Sequence, residues 1–307
     1  MHCHTFHFAA MASEHEIQLY SRTQAEAAHV AEVGINEVRR IEQTFSRYRD
    51  DSSISQINRA AGKHAVKIDV ETSALLDYAD QCFRNSDGLF DITSGVLRRC
   101  WNFREPRVPS ADEINRVLPW IGWDKVEREN SAIFLPLQGM EIDFGGIGKE
   151  YAADRAAAIM LNEGATHGFI NLAGDIRVLG PHPNGDSWSI GIQHPRAIKK
   201  VVAGIKLKEG ALATSGDYER YFDLDGKRYC HILNPKTGWP IVGAPQSVTI
   251  MAPLCIVAGS ISTIALLKEN GAVGFLTQSG LPYLLIDSDG GVTVSELQAI
   301  TPDLQPR

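Results

Sequence analysis

The apolar positions along the chain follow two periods, and the switches between them mark the elements. His7 to Tyr20 alternates apolar and polar and reads as a first strand, broken near Ala12-Ser13. Thr23 to Phe45 changes to helical spacing. Val30, Val33, Ile35, Val38, Ile41 and Phe45 share one face, and Glu, Arg and Gln fill the other. That pattern predicts a packed scaffold helix. Ser52 or Ser53 caps a short helix through Asn58, and Ala60 to Lys63 turns. Asp69 to Ser86 reads as a second long helix, with Leu75, Leu76, Ala79, Cys82 and Phe83 on its stripe. Gly88 to Gly95, GLFDITSG, breaks it. Trp101 to Pro109 is irregular, and Ser110 caps a short helix from Ala111 to Leu118.

Further on, Lys125 to Arg128 and Ala132 to Leu135 read as a strand pair around Asn130. Met140 to Ile147 reads as a strand running into glycines, followed by an alanine-rich helix from Glu150 to Asn162. Strands are expected at Gly168–Leu172, after Asp175, at Trp188–Gln193, at Val201–Leu207 and at Gln246–Met251. A helix follows from Leu254 to Lys268, then strand-like pieces at Gly274–Thr277, Tyr283–Asp287 and Gly291–Val294. Residues 1–6 and 296–307 read as loose. Helices and strands intermingle without a repeat or a linker. The expectation is an α+β (mixed α/β) chain forming one domain of two interleaved lobes around a ligand cleft.

Composition narrows the classes. A chain of 307 residues, 44% hydrophobic and 22% charged, has ample core for a globular protein. The net charge of -7 argues against nucleic acid and against a polybasic membrane surface. No run of about 18 apolar residues is present, so no membrane-spanning helix is expected. The five cysteines are odd in number and widely spaced, which points to a reducing compartment rather than a disulfide framework or a zinc site. No export signal is read at the start, so the expected location is the cytoplasm. His2, Cys3, His4 and His7 read as a frayed start rather than a metal site.

Two stretches carry candidate chemistry. In Ala211 to Pro240, Asp225-Gly226 joins two alternating runs as a tight hairpin. That hairpin brings Thr214, Ser215 and Asp217 near His231, a grouping suited to hydroxyl or phosphate chemistry. A surface hairpin whose polar residues only make turns fits the local pattern as well. In Asp143 to Lys149, DFGGIGK, glycines and a lysine enter a helix, a recipe for holding phosphate. The spacing is neither a Walker A loop nor GxGxxG, and a tight strand-to-helix turn also explains it. Asn171 to Asp175 reads as a turn-fixing junction. Ser260, Ser262 and Thr263 line a site or simply pack.

Taken together, the motifs are more specific than any one of them. Met11-Ala12-Ser13, FSRYRDDSSISQIN, GLFDITSG, EIDFGGIGKEYAAD, FINLAGDI, TSGDYERYF and HILNPKTGWPI occur in order. From about Met11 to Thr263 the chain resembles the ApbE family, the FAD:protein FMN transferases. The resemblance implies a two-lobed fold with FAD in the cleft. It implies transfer of FMN from FAD to a Thr or Ser hydroxyl of an acceptor flavoprotein, with AMP leaving. By position it implies FAD contacts from Met11, Tyr48, Leu89, Phe90, Asp91, Asp143, Lys149 and Ile232. It gives Mg²⁺ to the Gly146 carbonyl and to Thr263, and it places His231 near the reacting phosphate, where an imidazole suits the base for the incoming hydroxyl.

The chain departs from the family pattern twice. Gly259 stands where the family has a magnesium-binding Asp, and Glu150 stands where it has a glycine after the lysine. Glycine offers no side-chain oxygen, so the expected metal site is rebuilt through Ser262, Thr263, water or Asp175. A carboxylate at 150 is expected to repel phosphate or to point to solvent. The alternatives to an active transferase are a flavin-binding relative without Mg²⁺-dependent transfer and a FAD pyrophosphatase releasing FMN and AMP.

Overall fold

The structure is a computed structural model that describes residues 1–129, 131–295 and 300–301. Its centre is an eight-stranded antiparallel sheet whose order in space is its order along the chain. The strands are β1 (His2–Ala10), β2 (Ser13–Ser21), β3 (Gly168–Leu172), β4 (Asp175–Gly180), β5 (Ala211–Gly216), β6 (Ser247–Ala252), β7 (Tyr283–Ile286) and β8 (Val292–Val294). Helices α1 (Gln24–Phe45), α2 (Ser53–Ala60), α3 (Val70–Asn85), α4 (Ala111–Val117) and α5 (Gly148–Asn162) are inserted between β2 and β3. Helices α6 (Cys255–Leu267) and α7 (Ala272–Ser279) lie between β6 and β7.

The alternation of side chains along the strands decides what covers each face. Ala211, Ala213, Val248, Ile250 and Leu285 point into the core shared with the helices. Leu212, Met251, Leu284 and Ile286 point the other way, onto Ile192, Ala203 and Ile205 of a hairpin made by Trp188–His194 and Ala197–Leu207. Residues Ile300 and Thr301 pair with the second strand of that hairpin. With both faces covered, strands such as Ser247–Ala252 are buried throughout, which is why they read as apolar runs.

Capping and close packing fix the helices that matter for function. Thr23 and Glu26 form a capping box at the start of α1, with Thr23 Oγ1 accepting from the Glu26 N–H at 3.2 Å. Gly34 leaves room for the α5 residue Met160, whose sulfur lies 2.5 Å from where a Cβ would stand. Helix α6 is apolar nearly all round and is buried against β5, β6 and α5. Its N-terminus has no cap from its own chain neighbour Leu254. Asp154 of α5 caps it instead, accepting from the N–H groups of Cys255 at 2.8 Å and Ile256 at 2.9 Å. Replacing Asp154 by Ala should lower stability by about 1–2 kcal/mol, read from urea unfolding, because two buried donors lose their acceptor.

Several sequence expectations need correction. The first strand is two strands, and Met11-Ala12 is the hairpin tip with φ of 49° and 59°. Both residues sit where Asn or Gly is usual, so no turn signal was present. Residues 2–6 belong to β1 and are not loose, because β2 supplies a full set of partners. Gly145 to Ile147 is a turn, and Met140 to Phe144 forms no strand. The Asn58 side chain serves its edge, accepting from Ile142 N at 2.7 Å and donating to Ile142 O at 3.0 Å. Gly274–Thr277 lies in α7. Ile92–Arg99 forms an unforeseen 3-10 helix, opened by Asp91. Asn130 and most of the tail after Ser295 lie outside the described residues.

Candidate functional site

The DFGGIGK turn is held by its neighbours before any ligand is considered. The Ile147 N–H donates to Phe144 O at 2.9 Å, closing the turn that starts α5. Asp143 accepts from Gly145 N at 3.0 Å and from Arg47 Nη1 at 2.6 Å. Gly95 stands over that ion pair, where a Cβ would lie 2.8 Å from the Asp143 Cβ. Gly146 is similarly covered, with the Phe90 ring 3.0 Å from its Cβ direction. Phe90 is therefore a buried brace beneath the glycine turn.

Lys149 leaves the turn towards β4. Its Nζ is 2.5 Å from Asp175 Oδ2 and 3.5 Å from the Ala173 carbonyl. Burial pulls the Lys149 ammonium down, but the Asp175 and Glu150 carboxylates together outweigh it, so Lys149 stays charged. The Ala173-Gly174 tip, with φ of 51° and 98°, lies beside the Met11-Ala12 tip because β2 pairs with β3 from His15↔Leu172. Two strained tips and a lysine thus share one end of the sheet.

Glu150, the next residue, does not reach solvent; it is 8% exposed. It fills the space beside Gly259 of α6, where a Cβ would stand 2.5 Å from Glu150 Cγ and 2.6 Å from Oε1. Its Oε2 is buried without a hydrogen-bond partner. Burial, then the neighbouring Asp175 charge, pushes the Glu150 carboxyl well above the usual carboxylate range. The expectation that Glu150 points to solvent is overturned. The idea that Asp175 is free to replace a missing ligand meets its ion pair with Lys149.

The hydroxyl residues converge on the same helix. Ser215 Oγ, at the end of β5, is 2.7 Å from Ser262 Oγ and 3.0 Å from Thr263 Oγ1. Ser262 Oγ also donates to the Gly259 carbonyl at 2.9 Å. Thr214 Oγ1 meets Thr249 Oγ1 at 2.8 Å across the strand pair. Ser260 faces away, against the Tyr78 hydroxyl at 2.7 Å.

The hairpin after β5 forms as expected, with Tyr221–Leu224 pairing Lys227–Cys230 around Asp225-Gly226. It ties His231 to Arg220: the His231 N–H donates to Arg220 O at 2.9 Å, and Nδ1 lies 3.2 Å from the same oxygen. Burial, with Arg220 adding, lowers the His231 imidazole to about 4, against the opposing pull of Asp217. Asp217 is itself gripped by Arg196 through two contacts of 2.6 Å.

The remaining expected contacts are placed unevenly. Tyr48 is 78% exposed, with its hydroxyl accepting from Arg47 at 2.9 Å. Met11 and Leu89 are half-buried against the core, and Ile232 is buried. The Asp91 carboxylate is engaged within the fold, accepting from Thr93 N at 2.7 Å and Trp123 N at 3.0 Å. An open cavity of about 570 Å³ lies beside Asp91, Gly122 and Lys236; Lys149, His231 and Thr263 do not line it. Sequence reasoning missed Arg47 as an organising residue, missed that Ser215 meets Ser262 and Thr263, and missed the pairing of Glu150 with Gly259. Arg47 lies in a quoted motif, but its partner Asp143 is 96 residues away.

A glycine turn with a charged lysine, and hydroxyls clustered between β5 and α6, stand on an antiparallel sheet packed against helices. The ApbE family model matches residues 11–285, and the chain belongs to the ApbE family. It is similar to the FAD:protein FMN transferase of Klebsiella pneumoniae, 32% identical over 247 residues that cover 79% of this chain and 75% of that one. The FAD:protein FMN transferase of Haemophilus influenzae is 28% identical over 268 residues, covering 83% and 78%. The crystal structure of the ApbE protein from Thermotoga maritima superposes with a TM-score of 0.88 at 34% identity, covering 96% of this chain and 97% of that one.

Proposed function

We propose that the protein is a FAD:protein FMN transferase, moving FMN from FAD to a Thr or Ser hydroxyl of an acceptor flavoprotein. Family membership supports the reaction, and the charged Lys149, held by Asp175 where the glycine turn enters α5, is the observation that carries it here. The acceptor hydroxyl oxygen forms a bond to the phosphorus of the FMN half. The bond from that phosphorus to the bridging oxygen breaks, and AMP leaves with the bridging oxygen. His231 takes the hydroxyl proton. With Nδ1–H donated to the Arg220 carbonyl, Nε2 keeps its lone pair for that proton. A histidine lowered to about 4 is neutral at physiological pH and ready to act as a base.

Lys149 offers its charge to the pyrophosphate, and Asp175 fixes where that charge sits. Arg47 holds Asp143 and so the glycine turn. Tyr48, Met11, Leu89 and Ile232 supply apolar surface for the flavin or adenine ring. The oxygen donors of Ser262 and Thr263 and the Gly146 carbonyl are of the type Mg²⁺ takes, although no group of three His, Cys, Asp or Glu side chains gathers around a metal position among the described residues. The Gly146 carbonyl, Ser262 and Thr263 would hold the ion. When bound, it neutralises phosphate charge as the transfer proceeds.

No helix among the described residues is long and apolar enough to cross a membrane. The five cysteines are free, four of them buried, which supports a reducing, cytoplasmic setting. The test is incubation with FAD, Mg²⁺ and an acceptor flavoprotein bearing the target Thr. The acceptor should gain the mass of FMN, with one AMP released per label. FAD binding without label would make the chain a binding relative. AMP and FMN released without label would make it a pyrophosphatase.

A further inference from the structure

We infer that Glu150 supplies the carboxylate of the magnesium site, reaching from α5 into the place that a side chain at position 259 of α6 would occupy. The inference rests on the metal-dependent reading above, and three observations carry it.

The first is space. Gly259 has no side chain, and Glu150 Cγ and Oε1 lie 2.5 Å and 2.6 Å from where its Cβ would be. Either residue alone can carry a side chain there, but not both. The second is direction. Thr263 is one helical turn beyond Gly259 and so lies on the same face of α6, and the Gly259 carbonyl accepts from Ser262. The carboxylate is thus delivered to the face that presents the hydroxyls. The third is an unmet demand. Glu150 is 8% exposed, and its Oε2 has no partner. A buried carboxylate oxygen without a donor is costly unless a proton or a cation meets it. Lys149 is spent on Asp175, so one ammonium faces two carboxylates. A dication with oxygen preference supplies the missing charge.

The position of Gly259 and the identity of residue 150 then explain each other. A lone glycine would leave a hole and no ligand; a lone glutamate would clash with any side chain at 259.

The experiment titrates Mn²⁺, read by electron paramagnetic resonance, into the full-length protein with FAD bound, comparing wild type with Glu150→Gln. Glutamine keeps the shape and removes the charge. Mn²⁺ binding should weaken by at least about 10-fold, since even an outer-shell partner of a metal ligand is worth that much. Equal affinity, or no Mn²⁺ binding by the wild type, would overturn the inference. A second variant guards against poor folding: Glu150→Gly combined with Gly259→Asp should recover Mn²⁺ affinity to within a few-fold of wild type, while Gly259→Asp alone should not. A double variant that binds no better than Glu150→Gln would also overturn it. A wild type that binds FAD and Mn²⁺ at Glu150 yet labels no acceptor would sink the transferase reading and leave this assignment standing.

Discussion

Replacing His231 by Asn should slow FMN transfer by about 10²–10⁴-fold, the usual contribution of a positioned base. Asparagine still donates to the Arg220 carbonyl but cannot take a proton. FAD affinity should therefore stay within a few-fold of wild type, and the loss should fall on kcat. A rise in KM for FAD with kcat unchanged would move His231 from proton transfer to ligand binding. The pH profile provides a second check. The imidazole is lowered to about 4 from an ordinary value of 6.5, first by burial and then by Arg220. The acid limb of kcat/KM should fall at about pH 4 rather than near 6.5. The sign for stability is the same. The folded chain binds the proton less readily than the unfolded one, so acidification from 6.5 towards 4 removes stability.

The second large effect concerns Lys149. Lys149→Met removes the partner of Asp175, whose side chain is only 5% exposed. An uncompensated buried carboxylate should cost about 3 kcal/mol, the low end of the range because Lys149 itself is 31% exposed. Urea unfolding measures this. FAD binding should weaken by about 10–100-fold, the size of a lost charged hydrogen bond. Adding Asp175→Asn to Lys149→Met separates the two roles. Stability should return, since no buried charge is left unpaired, while FAD affinity should not. If affinity recovered together with stability, Lys149 would act only by holding Asp175 in place. If the single variant were as stable as wild type, the ion pair would carry no structural weight.

Most elements were legible because their causes are local. The capped helices α1 and α4 announce themselves by Thr23-Glu26 and Ser110-Glu113 pairs three residues apart. The Asp225-Gly226 hairpin follows from two residues that accept positive φ. The failures have non-local causes. Met11-Ala12 turns because β1 and β2 pair over nine positions, which outweighs the strain at two residues. Met140 to Ile147 has a strand-like sequence, but its neighbour is the side chain of Asn58 rather than another strand. The 274–277 segment is apolar and short, and such runs do not separate helix from strand.

For the site, sequence by itself determined the family, the motif order and the residue types: a glycine turn with Lys149, the hydroxyls Ser262 and Thr263, and His231 after a hairpin. These depend on identity and spacing, which the chain carries directly. Only the tertiary structure decided which charges are paired. Asp175 belongs to Lys149, Asp143 to Arg47 and Asp217 to Arg196, through contacts between residues 21 to 96 positions apart. It also decided the meaning of Gly259 and Glu150. Along the chain they are two unrelated departures more than a hundred residues apart. Packed together, they are one carboxylate carried by α5 into a gap left by α6, because two side chains cannot share that volume.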